Sequence, residues 1–182
     1  MNVTRLLKQE HRLILQMTDV LIDAREKMEA GASPEAVFFQ KALEGMRRFA
    51  DKHHHYKEEF LLFGLLARKH RGEFQAEISA LRYQHERCRR CAAEIENALP
   101  LYSRGEGLAA TTILEALATY ISLLKRHIHT EDHLFFPAAE KVLTPGENEH
   151  LLSLFQAETE GTGQDIIDEQ FRTLIHDMRQ SV

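Results

Sequence analysis

The sequence predicts an all-α fold, an up-down-up-down four-helix bundle with an additional C-terminal helix. Three observations carry that expectation. Apolar residues recur three and four apart along nearly the whole chain, which is the period of an amphipathic helix. Gly31 with Pro34, Pro100 with Gly105 and Gly107, and Pro145 with Gly146 punctuate this pattern, leaving long segments joined by short loops. Alternating strand patterns are absent, and short loops between long helices favour antiparallel neighbours.

The first helix is expected over about residues 3–30, where Leu6, Leu7, Ile14, Leu15, Leu21 and Ile22 form one stripe before Gly31 stops it. Ser33, Pro34 and Glu35 read as N-cap, first helical residue and first-turn acid, so a second helix starts there and runs to about residue 69. A third spans about 73–98, ended by Pro100, and a fourth about 107–142, ended by Thr144-Pro145-Gly146. Residues from about 147 to 180 carry apolar positions at helical spacing around Gly161 and Gly163, the mark of a broken or kinked fifth helix. The length of 182 residues fits one domain, 1–182, with its core bundle over about 3–142.

Composition narrows the function classes. The net charge of -5 arises from 23 basic and 28 acidic residues interleaved along the chain, so there is no basic field for nucleic acid or an anionic membrane. The N-terminus lacks the apolar core of a signal peptide, and no run of about 18 apolar residues is evident to cross a bilayer, so the expected location is cytoplasmic. Cys88 and Cys91 are too few for a disulfide scaffold and read as small, half-buried helical thiols. The anomaly is eleven histidines.

Two stretches echo each other: HHHYKEEFLLF at 53–63 and RHIHTEDHLFF at 126–136. Aligning His54 on His127 places Glu58 and Glu131 four residues after each histidine, so each pair lies one turn apart on a single helix face. The second and fourth helices of the predicted bundle run parallel and oppose each other, which brings both pairs to one level. Each pair sits within an apolar stripe: Leu43, Ala50, Leu61, Leu62 and Leu65 on one helix, Tyr120, Leu123, Leu124, Leu134 and Phe135 on the other. Burying carboxylates there is costly unless a cation neutralises them. His11 and His85 lie on the inward stripes of the first and third helices, completing four histidines and two glutamates. Such a set suits a pair of borderline transition metals, iron first, with manganese or zinc as alternatives. His53, His55, His70, His129, His133, His150 and His176 are assigned to the surface or to positions behind the ligands, and Lys57, Tyr83 and Arg89 to the outer ring. The two ExxH motifs of ferritin-like di-iron bundles are missing, since only Glu147 and His150 have that spacing.

On EHRLI at 10–14, HHHYKEEFLLF, YQHERC at 83–88 and HIHTEDHLFFP at 127–137, the chain resembles the hemerythrin-like, or HHE cation-binding, family over roughly residues 4–140. The resemblance implies a non-haem di-iron centre, two Fe ions, held by His11, His54, Glu58, His85, His127 and Glu131, the glutamates bridging. Oxygen carriers of the family place a second histidine four residues along the third helix, where this chain has Arg89, and space the fourth-helix acid as Asp132 is spaced. Glu131 is the first choice by helix geometry and Asp132 the second. One nitrogen ligand fewer suits reaction with O2, NO or peroxide, in sensing or stress response, better than reversible oxygen carriage. An iron-handling or iron-donor role of the iron-sulfur-repair kind, or an oxidoreductase acting on small oxidants, is the alternative. Either needs an electron-donor or protein partner that the sequence does not identify.

Overall fold

The computed structural model describes residues 2–69, 72–159 and 163–182, and among these no strand occurs. We label the helices α1 (Val3–Glu29), α2 (residues 36–69), α3 (Gln75–Tyr102), α4 (Gly107–Val142), α5 (Pro145–Glu158) and α6 (Gln164–Gln180). The first four form the bundle. The C-terminal extension is two helices, with Gly163 at φ 85° opening the second; Gly161 lies outside the described residues.

Two apolar clusters show how the bundle is threaded. One holds Ile14 and Leu21, Phe39 and Ala50, Cys88 and Ile95, Leu117 and Leu124. The other holds Leu7, Leu62 and Leu66, Ile78 and Leu81, Phe135 and Phe136. Helices α1 and α3 therefore pass from the second cluster to the first, and α2 and α4 from the first to the second. That alternation is the up-down-up-down topology, and it makes α2 and α4 parallel. The residues between the clusters on all four helices are the polar ones, so the fold carries a charged layer between two greasy ends.

Boundaries differ from expectation at two prolines. Helix α2 begins at Ala36 with Glu35 as its cap, not at Ser33 and Pro34. The Pro34 carbonyl accepts from Tyr102 Oη at 2.6 Å, and the residue before a proline is pushed toward extended backbone. Helix α3 runs through Pro100 to Tyr102. So close to the C-terminal end, the missing proline N–H forfeits a single bond in the last turn. Helix α4 also has an 18-residue window of mean hydropathy 1.5, long and apolar enough to span a bilayer by length and composition, contrary to expectation. Its Ile113, Leu117, Tyr120 and Leu124 pack into the bundle core.

Helices α2 and α4 are not regular. Residues Gly45–His55 and Lys57–Leu62 of α2, and Glu131–Phe135 of α4, form π-helical turns. The N–H groups of Tyr56, Phe63 and Phe136 donate to the carbonyls of Asp51, Glu58 and Glu131, five residues back. Such widened turns cluster at functional sites because they re-aim side chains. The extension seals the bundle. Phe171 of α6 stacks on Phe49 with centroids 3.9 Å apart, and at Gly45 a Cβ would stand 2.6 Å from Met17 Sδ and 3.2 Å from Phe171, so only glycine lets α1, α2 and α6 approach this closely.

Candidate metal centre

The polar layer brings together all six residues expected from the sequence: His11 from α1, His54 and Glu58 from α2, His85 from α3, His127 and Glu131 from α4. None is more than 1% exposed. Glu58 lies between the histidines, with Oε1 3.2 Å from His54 Nε2 and 3.7 Å from His11 Nε2, and Oε2 3.4 Å from His85 Nε2. Glu131 Oε2 is 2.9 Å from His127 Nε2 and 3.3 Å from His11 Nε2. Donors bound at about 2.0–2.2 Å to a shared ion stand roughly 3 Å apart, which is the spacing seen here.

Each of the four histidines is oriented from behind. The Nδ1–H of His11 donates to Asp132 at 2.8 Å, that of His54 to Glu10 at 2.8 Å, that of His85 to Glu59 at 2.7 Å and that of His127 to Gln84 at 2.9 Å. These bonds fix the tautomer and leave every Nε2 lone pair facing inward. Cations hold the outer carboxylates in turn: buried Lys57 pairs with Glu10, and Arg89 with Glu59 at 2.6 Å and with Asp51 at 2.8 Å. Lys57 and Arg89 thus stand one step further out, as expected, whereas Tyr83 is 60% exposed and takes no part. Glu131 and Asp132 face different nitrogens of His11. The π turn lets both acids serve α1, Glu131 through Nε2 of His11 and Asp132 through its Nδ1.

With Nδ1 so engaged, the inward face has too many lone pairs. His85 Nε2 and His127 Nε2 face each other at 2.9 Å, and both oxygens of Glu58 and of Glu131 lack a hydrogen-bond partner, as does Nε2 of His11 and of His54. Buried polar atoms left without partners cost on the order of 1–3 kcal/mol each, more when charged, so an arrangement of this kind is stable only around protons or cations. The facing imidazoles and carboxylates also shift one another's affinity for protons. Burial pushes His11 down, but Asp132, Glu131 and Glu58 more than reverse that and hold it well above its usual range. Burial likewise opposes the charge on His85, and Glu58 and Glu59 raise it to about 9. Burial and the Glu58 charge push Glu131 up, yet His127 and His11 hold it at about 2. The donor set is nitrogen and oxygen without sulfur. The two thiols are free and buried instead of half-buried, burial pushes Cys88 up to about 12, and neither belongs to the donor groups.

His55, expected at the surface or behind the ligands, is not at the surface. It is 2% exposed, stacks on His85 with centroids 3.8 Å apart, and completes a second donor group. One group is His11, His54, Glu58 and Glu131; the other is His55, Glu58, His85 and His127. Within each, one donor atom per residue lies within 4.8 Å of the others. On a regular helix His54 and His55 point about 100° apart, so no α-helical stripe contains both. The π turns of α2 bring them, with Lys57, Glu58 and Glu59, into the interior together. An imidazole of α2 thus enters the layer where the third helix has Arg89. Leu134 is the converse case, 67% exposed where a core position was expected. His129, His133, His150 and His176 lie at the surface, His53 bonds Lys57 and Gln164, and His70 is outside the described residues.

Comparison with known proteins agrees with this geometry. Uncharacterised proteins of Mycobacterium tuberculosis and Mycobacterium bovis are 24% identical over 152 residues, covering 84% of this chain and 59% of their own length. The chain thus spans little more than half of these relatives. No solved structure matches at a significant level. The hemerythrin HHE cation-binding domain matches residues 2–139, which takes in all four bundle helices except the last residues of α4. A cation-binding layer of histidines and glutamates inside a four-helix bundle has this origin: the chain belongs to the hemerythrin HHE cation-binding domain family.

Proposed function

We propose that this protein is a non-haem di-iron protein that binds or reacts with a small oxidant, O2, NO or peroxide. The observation that carries the reading is the pair of donor groups sharing Glu58. His11, His54, Glu58 and Glu131 would hold one ion, and His55, His85, His127 and Glu58 the other. Two carboxylates between five imidazoles favour a bridged pair of borderline ions over one closed tetrahedral site. Iron is the preferred occupant, with manganese or zinc fitting the same donors. Bound iron would supply electron transfer and Lewis acidity. The chain itself orients each imidazole through Asp132, Glu10, Glu59 and Gln84, keeps water from the layer with the two apolar clusters, and places negative charge where the ions sit.

Metal analysis of protein purified without chelators should give close to two ions per chain, mostly iron. Optical spectra of the reduced protein should change on addition of O2, NO or peroxide. One ion per chain with all ligands intact, or two redox-inert ions with no spectral response, overturns the reading. Loss of iron to an acceptor without any oxidant adduct favours the iron-donor role instead.

A further inference from the structure

Where the C-terminal extension lies on the bundle, a pocket of about 210 Å³ opens between α2 and α6, walled by Phe49, Ile167, Phe171 and Leu174 with Arg48 and His53 among its polar residues. None of the residues lining it belongs to either donor group of the metal centre. His53 gives the pocket a directed polar group. Its side chain is only 10% exposed, and its two ring nitrogens have different surroundings. Lys57 Nζ is 2.8 Å from Nε2 and has two further partners, Glu10 and Gln164 Oε1, one for each remaining ammonium hydrogen. Nε2 of His53 therefore accepts from Lys57, and the Gln164 amide nitrogen stands 3.2 Å from the same atom. A neutral imidazole that accepts at Nε2 carries its proton on Nδ1. Among the described residues that Nδ1–H has no hydrogen-bond partner, and it is not one of the atoms shut away from solvent, as both ring nitrogens of His55 are. A nine-tenths buried side chain thus keeps one free donor at the pocket it lines.

We propose that this pocket binds a small aromatic carboxylate, its ring against Phe49 and Phe171 and its acid on His53 Nδ1 and Arg48. The walls set the class of the ring. Phe49 and Phe171 stack with centroids 3.9 Å apart, and Ile167 and Leu174 add partly buried aliphatic surface beside them. An apolar cavity of about 150 Å³ is enough to hold benzene, so one substituted ring fits here and a nucleotide or a peptide does not. The donors set the class of the polar end. Lys57 donating into Nε2 polarises the imidazole and makes its Nδ1–H a stronger donor. Arg48 at the rim is 73% exposed and gives one nitrogen, Nη1, to Glu44 at 2.7 Å, which leaves its other N–H groups free. The same bond engages the Glu44 carboxylate, so the acid at the rim is already paired. Two donors, one of them cationic, match the two oxygens of a carboxylate. A ligand held from α2 and α6 together ties the extension to the bundle.

Titration calorimetry of the purified full chain with benzoate tests this. Benzoate should bind once per chain and raise the melting temperature, as a ligand of the folded state does. It should bind about tenfold more tightly than benzyl alcohol, which has the ring without the charge, and acetate, which has the charge without the ring, should not saturate the site. Ile167→Trp fills the pocket from α6 and should weaken benzoate by about tenfold or more, whereas Arg48→Ala removes the exposed rim cation and should weaken it about threefold. Both variants should keep the metal content of the wild type. Equal benzoate affinity in wild type and Ile167→Trp overturns the proposal, because the acid then binds elsewhere, the metal centre included. If Ile167→Trp does not fold, Arg48→Ala decides, and unchanged affinity there overturns it. Benzyl alcohol binding as tightly as benzoate also overturns it, since the pocket then reads the ring alone. No ion takes part in the site, so the metal analysis can fail while benzoate binding stands, and the reverse.

Discussion

At the scale of single residues, two kinds of acid meet at the centre, and the geometry ranks them. Glu58 and Glu131 present both oxygens to the interior with no hydrogen-bond donor to satisfy them, whereas Asp132 is spent on Nδ1 of His11. Glu58→Ala and Glu131→Ala should therefore each remove bound metal, while Asp132→Ala should leave metal bound with affinity lowered about 10–100-fold, the usual effect of losing a group that orients a ligand. Competition against a chelator measures this, and Asp132→Ala losing as much metal as Glu131→Ala would show that the aspartate is itself a ligand. Of the six expected residues, His54 with Glu58 and His127 with Glu131 were legible from their four-residue spacing inside an apolar stripe, and His11 and His85 from their places on the inward stripes of the first and third helices. His55 was not. Its neighbour His54 already occupied the inward position, and a period of 3.6 assigns adjacent residues to different faces.

At the scale of elements, the helices themselves were plain in the sequence, and their irregularities were not. A π turn leaves apolar spacing nearly intact over a few residues, so α2 and α4 read as ordinary helices although both are widened at the centre. The interplay of α1, α2 and α6 was equally hidden. Lys57 on α2 is fully buried, pairs with Glu10 of α1, donates to Gln164 of α6 at 3.0 Å and is 2.8 Å from His53. Glu10 in turn holds His54, so a residue beyond the family match, Gln164, supports a donor of the centre through two intermediaries. Lys57→Met leaves Glu10 buried without its cation and should cost about 3–5 kcal/mol in denaturant unfolding, whereas Gln164→Leu removes hydrogen bonds to Lys57 and Asp168 but leaves the Lys57–Glu10 pair in place and should cost less, about 2 kcal/mol. Metal affinity should fall with Lys57→Met as His54 loses its orientation. If Lys57→Met unfolds no more easily than Gln164→Leu, the buried pair does not support the centre.

For the whole molecule, the consequence of placing a charged layer between two apolar clusters is that folding, protons and metal compete for the same lone pairs. In the metal-free protein the layer is held together by protonated imidazole against carboxylate. His85, raised to about 9 from an ordinary value near 6.5 by Glu58 and Glu59 against the opposing effect of burial, stabilises the fold fully below pH 6.5 and loses that contribution as pH rises through 9. Metal binding runs the other way. The ions need neutral imidazole, so loading releases protons and tightens as pH rises over the same window. The melting temperature of the metal-free protein should therefore fall between pH 6 and pH 9, and the gap between loaded and metal-free forms should widen, since a ligand bound only to the folded state stabilises it by about 4 kcal/mol at a thousandfold excess over its dissociation constant. Paired thermal scans with and without zinc, at matched ionic strength, read both slopes. A gap that stays constant or narrows toward pH 9 would mean that the imidazoles facing Glu58 and Glu131 are already neutral in the metal-free fold, and that something other than protons satisfies the carboxylates there.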